Sequence, residues 1–146
     1  MIRLFKKEDA GQCSKIMNKC QMTMPEFRKG EAAYLVKKYN PEYLRKEFPK
    51  EYVLVYAKNN KILGLRGLYI DPSYHGKGCG TALLKRLEAE AEKRKLSKII
   101  IKSYFGAVSF YLKHGYKKLE EGFVKRGKLT IRFVYMEKFI KLLPES

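Results

Sequence analysis

Leu68-Tyr69-Ile70-Asp71-Pro72-Ser73-Tyr74-His75-Gly76-Lys77-Gly78-Cys79-Gly80-Thr81 carries a short apolar run into a proline stop. Three glycines alternating with other residues follow, and an amphipathic segment begins at once. Glycine tolerates positive φ and leaves room for close approach, so successive backbone N–H groups here can turn inward around an anion. Those amides sit where a helix begins, and the macrodipole already favours negative charge there. Strand, glycine turn and helix together describe a cradle for a diphosphate.

Two nucleotide-binding patterns fail on this turn. A P-loop needs G-x-x-x-x-G-K-[ST], but Gly76-Lys77 is followed by Gly78. A dinucleotide fingerprint needs a third glycine where Leu83 stands, and an acid near the end of the next strand. That strand reads Lys98-Ile99-Ile100-Ile101-Lys102 and has none. The turn instead resembles [Q/R]-x-x-G-x-[G/A], the acyl-CoA pyrophosphate loop of the GNAT superfamily of N-acetyltransferases. His75 falls on the Gln/Arg position, Gly78 on the first fixed glycine and Gly80 on the last. Downstream, Ala107-Val108-Ser109-Phe110-Tyr111-Leu112-Lys113-His114-Gly115-Tyr116 resembles the family's A-x-x-F-Y-x-K-x-G-[FY] block, and Val134-Tyr135-Met136-Glu137-Lys138 its closing strand. The resemblance covers residues 62–138 and is generic before them.

The resemblance implies acetyl transfer from acetyl-CoA, as cosubstrate, directly to a primary amine and without metal. Backbone groups of Leu68, Tyr69 and Ile70 would meet the pantetheine arm, with an N–H near Leu68 or Tyr69 polarising the thioester carbonyl. His75 and the amides of Gly76, Lys77, Gly78, Cys79, Gly80 and Thr81 would hold the pyrophosphate, helped by the Lys77 charge. Tyr104, where the family commonly has asparagine, and Ala107 would line the pantetheine. Tyr111 matches the family's tyrosine that protonates the departing thiolate; a phenol titrating near pH 10 stays protonated at neutrality yet can yield its proton to a basic thiolate. The plainer reading makes Tyr111 half of a Phe110–Tyr111 core pair. Gly67-Leu68-Tyr69-Ile70 offers no general base, Asp71 before Pro72 reads as a turn residue, and water is expected to take the amine's proton. Cys79 reads as packing, and His114 before Gly115 as a helix cap.

The 146 residues make one domain, 1–146, with 45% hydrophobic and 32% charged residues, a globular balance. No apolar run approaches the 18 or so residues of a membrane span, and Met1–Lys7 is not a signal peptide. Cys13 and Cys20 would lie two helical turns apart, roughly 10 Å, which is too far to bridge. A reducing, cytoplasmic setting is the expectation. Thirty-two lysines and arginines against 15 acids leave a net charge of +17. That excess points to an anionic partner, whether acidic peptide, nucleic acid or ribosome, or else to a solvated lysine-rich surface.

Periodicity and punctuation predict the order β-α-α-β-β-α-β-α-β-β. A strand spans Ile2–Lys6, and a helix starting at Asp9 carries the stripe Cys13, Ile16, Met17 and Cys20. Pro25-Glu26 opens a second helix, and Asn40-Pro41-Glu42 a third that runs to about Phe48. A strand at Tyr52–Lys58 turns at Asn59-Asn60 into an extended stretch, Lys61–Asp71, with Gly64 and Gly67 marking bends. Residues 79–95 form a helix with Leu83, Leu87 and Ala91 inward and Lys85, Glu88, Glu92 and Lys93 in water. Lys98–Lys102 reads as a buried strand, 106–114 as a helix, and 116–121 with 129–139 as a final strand pair. The fold class is α/β (α+β): a mixed, mostly antiparallel GNAT sheet flanked by helices, with the strands at Ile70 and Ile100 parallel. Between Asn60 and Pro72 the family fits two full strands, and eleven residues cannot. The third and fourth strands are therefore either shortened or merged into one.

Three functions share this fold: an N-acetyltransferase, a non-catalytic module binding RNA or ribosome through its basic surface, and an acyl-CoA-binding regulator. Acceptor choice is assigned to residues 24–51 and a 122–128 loop. Arg28, Lys29, Lys37, Lys38, Arg45, Lys46, Lys125, Arg126 and Lys128 make both flanks basic and suggest an acidic acceptor. Phe133, Tyr135 and Phe139 serve either core packing or a homodimer contact, so monomer and dimer stay open.

Overall fold

The computed structural model describes residues 1–23, 27, 29–65 and 69–140. They fall into two compact units, Met1–Leu84 and Lys85–Ser146.

The first unit holds β1 (Ile2–Leu4), α1 (Ala10–Thr23), α2 (Lys29–Lys38), α3 (Pro41–Glu47), β2 (Leu54–Lys58), β3 (Lys61–Leu65) and β4 (Tyr69–Ile70). Its sheet has the order β1-β2-β3-β4, antiparallel throughout. The α1 stripe behaves as its spacing predicts: Ala10, Cys13, Ile16, Met17 and Cys20 are all buried, and the helix lies against β3 and β4. Asn40 caps α3 by accepting the Tyr43 amide at 3.0 Å, with Pro41 at the first helical position. Asn59 and Asn60 take φ of 52° and 63°, the left-handed pair that a tight two-residue hairpin needs. The helix start expected at Pro25-Glu26 lies outside the described residues. At the N-terminus the Arg3 guanidinium forks onto Asp9 at 2.7 and 3.0 Å, and the Lys6 amide donates to the same carboxylate at 2.8 Å. Burial alone would raise the Asp9 carboxyl, but these charge-assisted bonds outweigh it and hold the group below the usual range.

The third and fourth strands are separate rather than merged into one. Among the described residues two strands pair antiparallel, with Gly64 opposite Ile70 and Leu65 opposite Tyr69. A Cβ on Gly64 would come within 2.5 Å of the Ile70 side chain and 3.3 Å of the Tyr69 carbonyl, so glycine permits this close crossing. Gly67 lies outside the described residues.

Helix α4 (Cys79–Lys93) begins in the first unit and continues into the second. The second unit adds β5 (Lys98–Ser103), α5 (Val108–Lys113), β6 (Lys117–Arg126) and β7 (Leu129–Phe139), in the antiparallel order β5-β7-β6. The strands at Ile70 and Ile100 thus belong to different sheets, and every ladder among the described residues is antiparallel.

Three sequence expectations are corrected here. Lys98–Lys102 is not a buried strand: β5 alternates, and Ile100 is 53% exposed. Residues 122–126 are not loop but the second half of β6; Gly127, at φ 62°, and Lys128 make the turn. Glu88 does not face water; its partners are described below.

A Cβ on Gly122 would meet the Phe133 ring at 2.5 Å, across the β6–β7 ladder where the two residues are partners. Gly122→Ala is therefore expected to destabilise by about 1–3 kcal/mol through overpacking. Gly11→Ala, on an α1 position with nothing within 4 Å, should stabilise by up to about 1 kcal/mol through helix propensity. Urea unfolding of the two variants should move the midpoint in opposite directions.

Candidate functional site

The glycine turn is built from the end of β4 outward. Tyr69 and Ile70 are both buried, and the Asp71 amide donates to the Leu63 carbonyl at 2.8 Å, which ends the pairing. Asp71 then folds back on itself: its carboxylate accepts the Ser73 amide at 3.0 Å, opening a single 3-10 turn over Pro72–Tyr74. The Tyr74 amide closes that turn on the Asp71 carbonyl at 2.7 Å. The Ser73 amide is the main reason the Asp71 carboxyl titrates below its ordinary value, with the Lys19 and Lys61 charges adding to it. Asp71 is a turn residue, as its place before Pro72 predicts.

His75 is tied to the strand. Its Nε2 lies 3.0 Å from the Ile70 carbonyl and donates to it, since a carbonyl only accepts. The same oxygen takes the Cys20 thiol at 3.3 Å. Gly76 and Gly78 follow at φ +76° and +81°, a conformation that side chains rarely adopt, with open space where each Cβ would stand. Residues 75–78 are exposed, whereas Cys79 is buried and packs inward. Helix α4 starts there, and the Ala82 amide reaches back to the Gly78 carbonyl at 3.0 Å. The Cys79 and Gly80 amides have no partner within the helix, as at every helix start. Thr81 sits half-buried one position on. Two lysines ride on the Tyr74 ring beside this turn: Lys77 Nζ at 5.4 Å and Lys61 Nζ at 5.6 Å from its centre. Residues 69–81 are thus brought together as one loop, and Leu68 lies outside the described residues. The sequence reading missed Lys61, whose charge only the β2–β3 hairpin carries to this turn. It also missed Gln21, fully buried on α1 with its amide nitrogen 3.4 Å from the Tyr69 hydroxyl.

The second unit holds the other expected residues. Tyr104 and Ala107 bracket a 3-10 turn, closed by the Ala107 amide on the Tyr104 carbonyl at 3.1 Å. Tyr111 on α5 is 3% exposed and stacks edge to face with Phe110 and with Tyr116, both at 5.6 Å. Of the Phe110–Tyr111 pair, Tyr111 is thus the buried member. Burial pushes its phenol well above the ordinary range. Tyr116 is raised as well, by burial first and then by Glu88, to which its hydroxyl donates at 3.3 Å. Lys138 completes the cluster, 3.1 Å from Glu88 and 2.9 Å from the His114 carbonyl. His114 Nδ1 lies 2.9 Å from the Phe110 carbonyl and closes the α5 end, as a helix cap would. Glu88 falls four residues after buried Leu84 and three before buried Ala91, so the helical stripe through those two residues was the signal for it.

These groups offer two capacities: an open turn of amides and lysines suited to a diphosphate, and a desolvated phenol that keeps its proton. The sequence model of the acetyltransferase (GNAT) domain family matches residues 23–140. No curated protein matches the chain. Among solved structures, a GCN5-related N-acetyltransferase from Rhodopseudomonas palustris is 18% identical, with 95% of this chain and 94% of that one covered at a TM-score of 0.86. The PaiA N-acetyltransferase of Thermoplasma acidophilum, solved with coenzyme A, is 20% identical over 95% and 98% of the two chains, TM-score 0.75. YncA of Salmonella typhimurium, solved with its cofactor acetyl-CoA, is 21% identical over 100% and 96%, TM-score 0.62. At these identities the structures establish the fold.

Removing the Asp71 cap tests the turn. Asp71→Ala should cost about 1 kcal/mol at neutral pH, the usual loss for such a cap. The Asp71 carboxyl is depressed in the folded state, so its contribution is present above the unfolded carboxylate value and fades as pH falls through the folded one. The gap between wild type and Asp71→Ala should therefore narrow below about pH 4, as thermal unfolding across pH 2–7 would reveal.

Proposed function

This chain belongs to the acetyltransferase (GNAT) domain family, and we propose that it moves an acetyl group from acetyl-CoA directly to a primary amine. The observation that carries the proposal is the turn itself: two exposed glycines at positive φ, held between a pinned strand end and a helix start, with Lys77 and Lys61 beside it. The cosubstrate brings an activated thioester and two linked phosphates. The amides of residues 76–81 receive those phosphates, and the Lys77 ammonium balances their charge. Backbone groups of residues 68–70 align the pantetheine, with an N–H at Leu68 or Tyr69 polarising the carbonyl. Tyr104 and Ala107 flank that arm.

The amine nitrogen attacks the carbonyl carbon, a C–N bond forms and the C–S bond breaks. Tyr111 gives its phenolic proton to the departing sulfur, and water removes the extra proton from nitrogen. Asp71 is already engaged with the Ser73 amide, which supports water over a carboxylate as the proton acceptor. The family match runs across the boundary between the two units, which supports one acetyltransferase domain over residues 1–146. Buried, unpaired Cys13, Cys20 and Cys79 suit a reducing cytoplasm. The surplus of positive charge favours an acidic peptide or protein as the amine donor.

A thiol-release assay with acetyl-CoA and a panel of amines should show CoA formation. Tyr111→Phe should lower kcat by about 10²–10⁴-fold while calorimetric titration with CoA stays unchanged; undiminished turnover in that variant would remove Tyr111 from the mechanism. Because burial holds the Tyr111 proton above the ordinary phenol range, kcat should show no alkaline decline up to about pH 10.

A further inference from the structure

Two phenyl rings stand exposed on the second unit, Phe123 at 61% and Phe105 at 37%. Both line one cavity of about 530 Å³, a size suited to a small ligand or a peptide side-chain pair. Register explains its walls. Phe123 is opposite Arg132 and Lys125 is opposite Thr130, so all four share one face of the β6–β7 hairpin, with Glu121 two residues before Phe123. Along the same face Glu121 is opposite Val134, and there a second cavity of about 370 Å³ is lined by Phe105, Val108, Leu112 and Val134. The two cavities share Phe105 and Glu121, so one face runs from aliphatic to cationic.

Its cations are not engaged elsewhere. Lys125 Nζ lies 5.8 Å from the Phe123 ring centre, and among the described residues neither Lys125 nor Arg132 forms a side-chain ion pair or hydrogen bond. Glu121 and Lys118 are the other charged groups lining the two cavities, so the face stays net positive. Val134 and Arg132 are two residues apart on one strand, roughly 7 Å. A ligand lying along the face must therefore offer an apolar group and an anion at about that separation, the spacing of residues i and i+2 in an extended peptide.

We infer that this hairpin face is the acceptor subsite, binding a peptide segment that carries an aliphatic side chain and a carboxylate two residues apart. That the bound peptide's amine is then acetylated rests on the transferase reading above; the binding itself does not. Phe105 and Phe123 could stack bases, but single-stranded RNA fits less well, because Glu121 would oppose a phosphate backbone and the adjoining cavity is walled by aliphatic Val108, Leu112 and Val134.

The test uses the full chain without CoA and titrates acetyl-Leu-Ala-Glu-amide against acetyl-Leu-Ala-Gln-amide by NMR. The Glu peptide should bind saturably and about tenfold tighter than the Gln peptide. Arg132→Gln with Lys125→Gln should abolish that difference. Both side chains are exposed, so the variant should fold. Arg126→Gln with Lys128→Gln, the same loss of two charges outside the cavity lining, should preserve the difference. Equal binding of the two peptides, no saturation at 10 mM, or equal damage from the Arg126→Gln, Lys128→Gln pair would overturn the inference. So would octauridylate binding that depends on Arg132 where the peptide does not bind. A separate CoA titration reads the donor site, so its failure would count against the transferase reading and leave the peptide result standing.

Discussion

The carbonyl of Ile70 holds the candidate donor site in place. Among the described residues two ladder positions join β4 to β3, few to hold a strand end in water. The end of that strand is instead fixed from three directions: the Cys20 thiol from α1, the His75 ring from the turn beyond, and the Asp71 amide joined to β3. Cys20 and His75 converge on one oxygen. The His75 bond also fixes a tautomer, because Nε2 must carry the proton it donates. The residue at the family's Gln/Arg position thus ties the turn back to the end of β4 through one ring nitrogen.

Features fixed by local chemistry were legible in the sequence. Asn40-Pro41-Glu42 capped a helix, Asn59-Asn60 turned a hairpin, and Gly76 and Gly78 took positive φ, because each depends on a few neighbouring atoms. Features set by distant partners were not. Three isoleucines in a row at 99–101 read as a buried strand, yet among the described residues β5 pairs only with β7 and leaves Ile100 open. Residues 122–126 read as loop because Gly122 breaks the apolar pattern; the glycine instead admits the Phe133 ring, contributed from across the hairpin. Glu88 read as solvated because its partners, Tyr116 and Lys138, lie 28 and 50 residues away. For the candidate site, the loop residues were readable as a run. Tyr111's burial could be weighed only against Phe110, since helical spacing allows either ring to face inward.

The excess of cations has a structural counterpart. With 15 acids for 32 lysines and arginines, ion pairs cannot absorb the charge, and aromatic rings take part of it. Lys38 sits by Tyr39 and Tyr43, Lys61 and Lys77 by Tyr74, Lys102 by Phe133 at 4.1 Å, and Lys125 by Phe123. Such contacts are worth about 0.5–1 kcal/mol at exposed sites, and they leave the full positive charge in place. A cation on a ring remains available to an anion, whereas one in a salt bridge has been neutralised. The result is a surface whose positive charge survives folding, at the glycine turn and along the β6–β7 hairpin among other places.

At first sight a buried phenol is a poor acid, since each unit by which its pKa exceeds that of the acceptor costs about 1.4 kcal/mol. The relevant acceptor, however, is a thiolate losing its own hydration. Burial raises thiols in this protein too: Cys13 is pushed up to about 12 and Cys20 to about 11. A coenzyme thiolate released into comparably dry surroundings would climb in the same direction, toward the Tyr111 phenol. Desolvation shifts acid and leaving group together, so the driving force for protonation changes far less than either value does. The burial that makes Tyr111 look like a core residue is therefore compatible with proton donation, provided the sulfur departs into the same dry environment.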